Sequence, residues 1–115
     1  MVAHGIGPSN DPDGEFLREN LRAESYGDKP SRLRSSFVFE TYADAERFRD
    51  SYRQGAAIYK VQFADPKAQR HRVTWSAFQP GHCIPVERQA QDFWRGGMLY
   101  SSDIEVFAET DLIFL

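Results

Sequence analysis

The clearest alternation of hydrophobic and polar positions along the chain lies between Pro30 and Tyr52. Within it, Ser35–Glu40 is rich in aromatic and β-branched residues. Because successive side chains of a strand point to opposite faces, Phe37 and Phe39 share one face and Val38 lies on the other. This pattern predicts a buried strand.

A helix is predicted directly after this strand. The hydroxyl of Thr41 can accept a hydrogen bond from the backbone N–H of Asp44, as the residue before the first turn of a helix commonly does. Gly55 supplies a stop signal. The predicted buried stripe of the helix consists of Ala45, Phe48 and Tyr52.

The rest of the chain alternates short strand patterns with helical ones. We predict a short strand plus loop over 1–12, and strands over 56–63, 70–78, 98–100, 104–108 and 112–115. Helices are predicted over 12–26, with a stripe of Phe16, Leu17 and Leu21, and over 85–94, with Ala90, Phe93 and Trp94 buried. Strands and helices do not alternate as in a parallel sheet, so the predicted class is α+β with a split, mostly antiparallel sheet and two or three flanking helices.

Composition limits the size of the fold and its surroundings. With 115 residues, of which 41% are hydrophobic and 14% aromatic, the chain supports one modest core, and we expect a single domain over 1–115. No apolar run approaches the length of a membrane span, which predicts no membrane partner. The single cysteine, Cys83, cannot form an internal disulfide, and a cytoplasmic location is expected.

Charge and motifs disfavour several functions. The formal net charge of −3 argues against a general nucleic-acid binder, although a local basic surface remains an alternative. The histidines and the cysteine lack zinc-ligand spacing, so we expect no metal. His82 and Cys83 are adjacent in sequence, whereas catalytic Cys–His pairs are formed by distant segments, so a catalytic thiol is disfavoured.

Glu105 is the acidic residue that the pattern singles out. It lies within a predicted strand and shares a face with Phe107, so its carboxylate must face water, a partner or a cleft. One interpretation is a solvent-facing position on a half-exposed edge strand. In the other, Asp103 projects from the same face, and the two carboxylates tune each other's pKa values.

Three segments carry a resemblance to a known fold. The stretch from Pro30 to Phe48, AQDFWRGG at 90–97 and DIEVFAETDLIFL at 103–115 resemble a bacterial family of domains of unknown function, which is similar to the ADP-ribosyltransferase fold. The likeness covers about Glu15 to Leu115. His4-Gly5 resembles the first element of the His-Tyr-Glu constellation of such enzymes, Phe37–Phe39 leading to Phe48 resembles the second, and Glu105 resembles the third.

The resemblance implies an enzyme that uses NAD as substrate, either an ADP-ribosyltransferase with an unknown acceptor or an NAD glycohydrolase. Phe48 stands where the family has Tyr, and Asp103 where its arginine-modifying branch has Glu or Gln. The implied catalytic residues are Glu105, which stabilises positive charge, and His4, which positions the ribose. The implied cofactor-binding residues are Arg32 and Arg34 for the pyrophosphate, Ser36 for the ribose, and Phe39 or Phe48 for the nicotinamide.

Other functions stay open at this point. The same scaffold can serve as a non-catalytic binding or interaction module, in which Phe37 and Phe39 are core residues. A weaker alternative is an RNA-directed transferase or nuclease, which the negative charge disfavours. The apolar Ile113 and Phe114 indicate a strand that is either central or covered by a partner chain, and the second case gives the hypothesis of a homodimer.

Overall fold

The computed structural model describes residues 1–4, 12–77 and 84–115. The elements in chain order are β1 (Val2–His4), α1 (Pro12–Ser25), a 3₁₀ helix (Arg32–Arg34), β2 (Ser36–Phe39), α2 (Tyr42–Tyr52), β3 (Ile58–Phe63), β4 (Arg70–Thr74), α3 (Val86–Arg95), β5 (Ile104–Ala108) and β6 (Leu112–Phe114). The predicted loop over 5–11, the end of the predicted strand at Phe78 and the pair His82 and Cys83 lie outside the described residues.

The six described strands form one sheet in the order β4-β5-β2-β1-β3-β6. Each pairing of neighbours is antiparallel. Together with the three described helices, this arrangement confirms the predicted α+β class with its antiparallel sheet. Within residues 1–4, 12–77 and 84–115, no helix combines the length and apolar character needed to cross a membrane.

The predicted strand and helix between Pro30 and Tyr52 are confirmed as β2 and α2. The backbone N–H of Asp44 donates to Oγ1 of Thr41 at 3.1 Å, which is the predicted cap. Behind it, Ala45 is fully buried where α2 packs against β1, β2 and β3.

The two faces of the sheet carry different cores. On the helix-covered face, Phe37, Val73 and Phe107 pack against Phe93 and Trp94 of α3. The opposite, inner face holds a core of smaller side chains, namely Ala3, Val38, Val61, Phe63, Val106 and Ala108.

The sheet is curved toward its inner face. The guanidinium carbon of Arg70, on β4, lies 4.8 Å from the ring centroid of Phe63, on β3. These strands are separated by three others in the sheet order, so only strong curvature brings them into contact.

Three predictions about individual segments are wrong. Tyr52, predicted in the buried stripe of α2, is 45% exposed. Phe16 is 67% exposed, because the buried face of α1 carries Arg18 and Arg22 instead. The predicted strand over 98–100 is not formed. Gly96, at φ +89°, ends α3 just before this segment. The contact of the segment with β4 is a backbone hydrogen bond from the N–H of Thr74 to the carbonyl of Met98 at 2.8 Å.

Candidate functional site

The carboxylate of Glu105 lies inside the fold. Glu105 is 5% exposed, and its strand β5 is paired with β2 on one side and β4 on the other. It lies opposite Phe39 in β2 and Val73 in β4. The interpretation of Glu105 as a solvent-facing position on an edge strand is therefore wrong, because both edges of β5 are paired.

Arg32 is the direct partner of Glu105. Its Nη1 donates to Oε1 of Glu105 at 2.7 Å, while its Nε donates to both carboxylate oxygens of Glu15 at 2.9 Å. The guanidinium carbon lies 4.7 Å from the ring centroid of Phe37 and 4.9 Å from that of Phe107. Two charge-assisted contacts and two aromatic faces thus hold one side chain in place.

The loop before Arg32 is anchored to α1. Ser31 is fully buried, and its Oγ donates to Oε2 of Glu19 at 2.8 Å. Oγ of Ser31 also accepts a hydrogen bond from the backbone N–H of Leu33 at 3.2 Å. This contact caps the start of the 3₁₀ helix that carries Arg32. The position of Arg32 over the sheet is therefore fixed by local capping as well as by its ion pairs.

The charges around Arg32 balance. We define the Arg32 cluster as Glu15, Arg18, Arg32 and Glu105, in which Arg18 also pairs with Glu15 at 3.0 Å. Burial alone would raise the pKa of Glu15, but Arg32 and Arg18 hold it below its usual value. Burial would lower the pKa of Arg32, and the nearby carboxylates Glu105 and Glu15 raise it instead. Two cations and two anions therefore share this site.

Glu15 was missed among the candidate residues. Its signal in the sequence is a repeated spacing in α1, in which Glu15 precedes Arg18 by three residues and Glu19 precedes Arg22 by three. Residues three apart on a helix are neighbours, so the repeat predicts ion pairs along one face. It does not reveal that this face is buried.

Arg34 and Ser36, candidates for the pyrophosphate and ribose, do not join Glu105. Arg34 forms a surface ion pair with Glu109 at 2.6 Å, with the two side chains 61% and 39% exposed. Ser36 lies on β2 opposite Ala108, and therefore shares the inner face with Val38 rather than the face of Glu105. His4 ends β1, opposite Ile58 of β3.

Phe39 and Phe48, the two candidates for stacking on nicotinamide, lie next to each other. Their ring centroids are 5.3 Å apart, and Phe48 also lies 5.1 Å from Tyr52 and 5.2 Å from Trp75. We call these four residues the aromatic cluster. Phe39 is buried, whereas Tyr52 is 45% exposed, so the cluster extends from the core to the surface. Trp75 was missed because β4 brings it to α2 from a distant part of the chain.

Asp103 and Glu105 do not act as a pair. Asp103 has a φ of +57°, and its backbone N–H donates to Oδ1 of Asp44 at 2.9 Å. Its own carboxylate accepts from Nε of Arg47 at 2.6 Å and from Oγ of Ser76 at 3.3 Å. The predicted pairing of the two carboxylates is therefore not formed, because each one is held by a different arginine.

His71 is a buried titratable group next to the Arg32 cluster. Its Nε2 lies 2.7 Å from the carbonyl oxygen of Phe93, to which it donates, and its ring packs against Phe93, Trp94 and Phe107. Burial lowers the pKa of His71, and the positive charges of Lys29 and Arg32 act in the same direction.

We expect the free energy of unfolding to fall as the pH drops below about 6.5, the usual pKa of histidine. Since the pKa of His71 is lower in the folded state, the unfolded chain takes up the proton first, at a cost of up to about 1.4 kcal/mol per pH unit until the folded pKa is reached. Urea midpoints at about pH 7.5 and about pH 5.5 measure this loss. A His71→Gln variant is the control, and an equal loss in that variant contradicts the assignment to His71.

Neither a metal site among the described residues nor a similar known protein assigns a function to this site. In the described ranges 1–4, 12–77 and 84–115, no group of three or more His, Cys, Asp or Glu side chains is placed to hold a metal ion. No protein-family model matches the chain, and no curated protein shows significant similarity to it, so no relative assigns a role to Glu105, Arg32 or the aromatic cluster.

Proposed function

We propose that the chain is a non-catalytic binding module on a scaffold similar to that of ADP-ribosyltransferases. The observation that carries this proposal is the contact of 2.7 Å between Arg32 and the 5% exposed Glu105. A carboxylate that stabilises an oxocarbenium-like transition state has to face the substrate and keep its negative charge available. Glu105 instead faces Arg32, whose positive charge already offsets its own.

NAD cleavage is the second candidate, favoured by the order of the central strands. The strands bearing Glu105, Phe39 and His4 are adjacent, in the order β5, β2, β1. Phe39 lies directly opposite Glu105 on one side and Val2 on the other, and the aromatic cluster begins at Phe39. These neighbours are the ones that the resemblance implies for a ribose, a nicotinamide and a charge-stabilising carboxylate.

In this second function, NAD is the substrate and the acceptor is unidentified. Glu105 stabilises the positive charge that develops as the nicotinamide–ribose bond breaks, and the aromatic cluster stacks on the nicotinamide. Because Arg32 holds Glu105, the carboxylate has to exchange that contact for one with the ribose before it can act. The binding module requires no such rearrangement.

A single variant separates the two functions. If Glu105 is structural, Glu105→Gln is expected to lower the free energy of unfolding by about 3 kcal/mol, because Arg32 keeps Glu15 but loses one of its two buried charges of opposite sign. If Glu105 is also catalytic, the same loss of stability occurs, because Arg32 holds Glu105 in either case, and nicotinamide release by the folded variant falls in addition on the order of 10²–10³-fold. Urea denaturation and nicotinamide release are measured on the same samples.

Glu109→Gln is the matched control, since Glu109 is a surface carboxylate that also pairs with an arginine. It is expected to change neither stability nor release appreciably. Release of nicotinamide by the wild type contradicts the non-catalytic proposal. Absence of both release and NAD binding in a calorimetric titration contradicts the second candidate.

A further inference from the structure

The outer edge of β6 carries backbone groups that point away from the sheet. The N–H of Leu115 donates to the carbonyl of Lys60 at 3.0 Å, and the N–H of Ala64 donates to the carbonyl of Asp111 at 2.8 Å. Along an antiparallel strand, alternate residues direct their backbone groups to opposite sides. Residues 111, 113 and 115 therefore face β3, and Leu112 and Phe114 direct their N–H and C=O groups outward.

Large apolar side chains surround this edge. Ile113 is 43% exposed, Phe114 64% and Leu115 74%, and Tyr59 of β3 is 48% exposed. The rings of Tyr59 and Phe114 meet edge to face, with centroids 5.7 Å apart. Within residues 1–4, 12–77 and 84–115, no strand pairs with the outer edge of β6, and a hydrophobic edge of this kind is a template for pairing with another strand.

The charges at the two ends of β6 are arranged so that the edge is complementary to itself. Asp111 precedes the strand, and Lys60 lies opposite Leu115 at its other end, with both charged residues exposed. If two copies of β6 run antiparallel about Ile113, Asp111 of each copy comes opposite Leu115 of the other. Each carboxylate then approaches the Lys60 that stands beside that leucine.

We propose that β6 pairs with β6 of a second copy of this chain, about a two-fold axis that passes beside Ile113. The outward N–H and C=O groups of Leu112 then bond with those of Phe114 in the other copy, and the two Ile113 side chains meet at the axis. The interface is isologous and closes as a dimer with one sheet continuous through both copies. It needs no ligand and does not depend on the proposed function.

Sedimentation equilibrium over a wide concentration range tests the proposal. The wild type is expected to approach the dimer mass, and Ile113→Lys is expected to weaken the dimer at least about tenfold, because it sets two like charges opposite each other at the axis. Phe16→Lys is the matched control, since Phe16 is 67% exposed on α1, and it should leave the dimer unchanged. A wild type that stays monomeric, or that forms an open series of larger species, overturns the proposal. A monomeric result would favour instead an extended peptide of another protein as the partner of this edge.

Charge exchange tests the register itself. Asp111→Lys and Lys60→Glu, each alone, are expected to weaken the dimer, because each sets like charges near one another across the interface. The double variant should regain most of the lost affinity, since it restores opposite charges with their places exchanged. Thermal melts should confirm that each variant is folded, as both side chains are exposed. A double variant weaker than either single one, or a dimer that Ile113→Lys does not affect, overturns pairing about Ile113.

Discussion

Arg32→Met is expected to lower the free energy of unfolding by about 3–5 kcal/mol, a large fraction of the stability of a small domain. The substitution leaves Glu15 and Glu105 close together and removes the cation that each of them contacts directly. Urea denaturation near neutral pH measures the loss. Arg34→Met, which removes an exposed ion pair, should cost less than about 1 kcal/mol.

The same variant should recover stability as the pH falls. Without Arg32, two neighbouring carboxylates are buried without the cation that they share, so the folded state is expected to bind protons more readily than the unfolded one. Replacing Glu15 and Glu105 by Gln as well should restore part of the stability at neutral pH, because the uncompensated charges are gone. An Arg32→Met protein as stable as the wild type would show that the Arg32 cluster contributes nothing to folding.

Trp94→Ala is expected to cost about 3–5 kcal/mol. Trp94 is fully buried, packs against His71, Phe93 and Phe107, and donates from Nε1 to the carbonyl oxygen of Arg18 at 2.9 Å. Its removal creates a cavity and also breaks a contact between α3 and α1. Chemical denaturation of the purified variant gives the loss.

Two further variants separate the cavity from the hydrogen bond. Trp94→Phe keeps much of the ring and removes the donor, so its cost should be clearly smaller than that of Trp94→Ala. Tyr100→Ala, at a position 60% exposed, is the control for loss of an aromatic side chain. Equal losses in Trp94→Ala and Tyr100→Ala would contradict the assignment of Trp94 to the core.

Local pattern was sufficient to predict most of the elements. Period-two alternation located β2, β3 and β5, and the hydroxyl of Thr41 located the start of α2, because these signals depend only on residues a few positions apart. The burial of Phe93 and Trp94 on α3 also followed from spacing. The same kind of pattern also predicted a strand over 98–100 that is not formed. There, the carbonyl of Met98 accepts a hydrogen bond from the N–H of Thr74, but the segment is not a strand.

The environment of Glu105 could not be predicted in this way. Alternation places Glu105 and Phe107 on one face of β5, but it does not show which helix covers that face or which charge meets the carboxylate. Arg32 contacts Glu15, which is 17 positions away in sequence, and Glu105, which is 73 positions away. The buried positions of α1 include Arg18 and Arg22, whereas the apolar Phe16, predicted in the inward stripe, is exposed. Only the assembled sheet and helices bring these groups together.

The position of β5 between β2 and β4 also affects how the chain folds. Neither β2 nor β4 can complete its pairing until β5 has been synthesised, and the contact between Arg32 and Glu105 spans 73 residues. On a ribosome, the first hundred residues therefore emerge with β2 paired on one side only, to β1, and with β4 not yet paired to any described strand. Closing such long loops costs conformational entropy before the contacts form, so the sheet is completed only after most of the chain has been released.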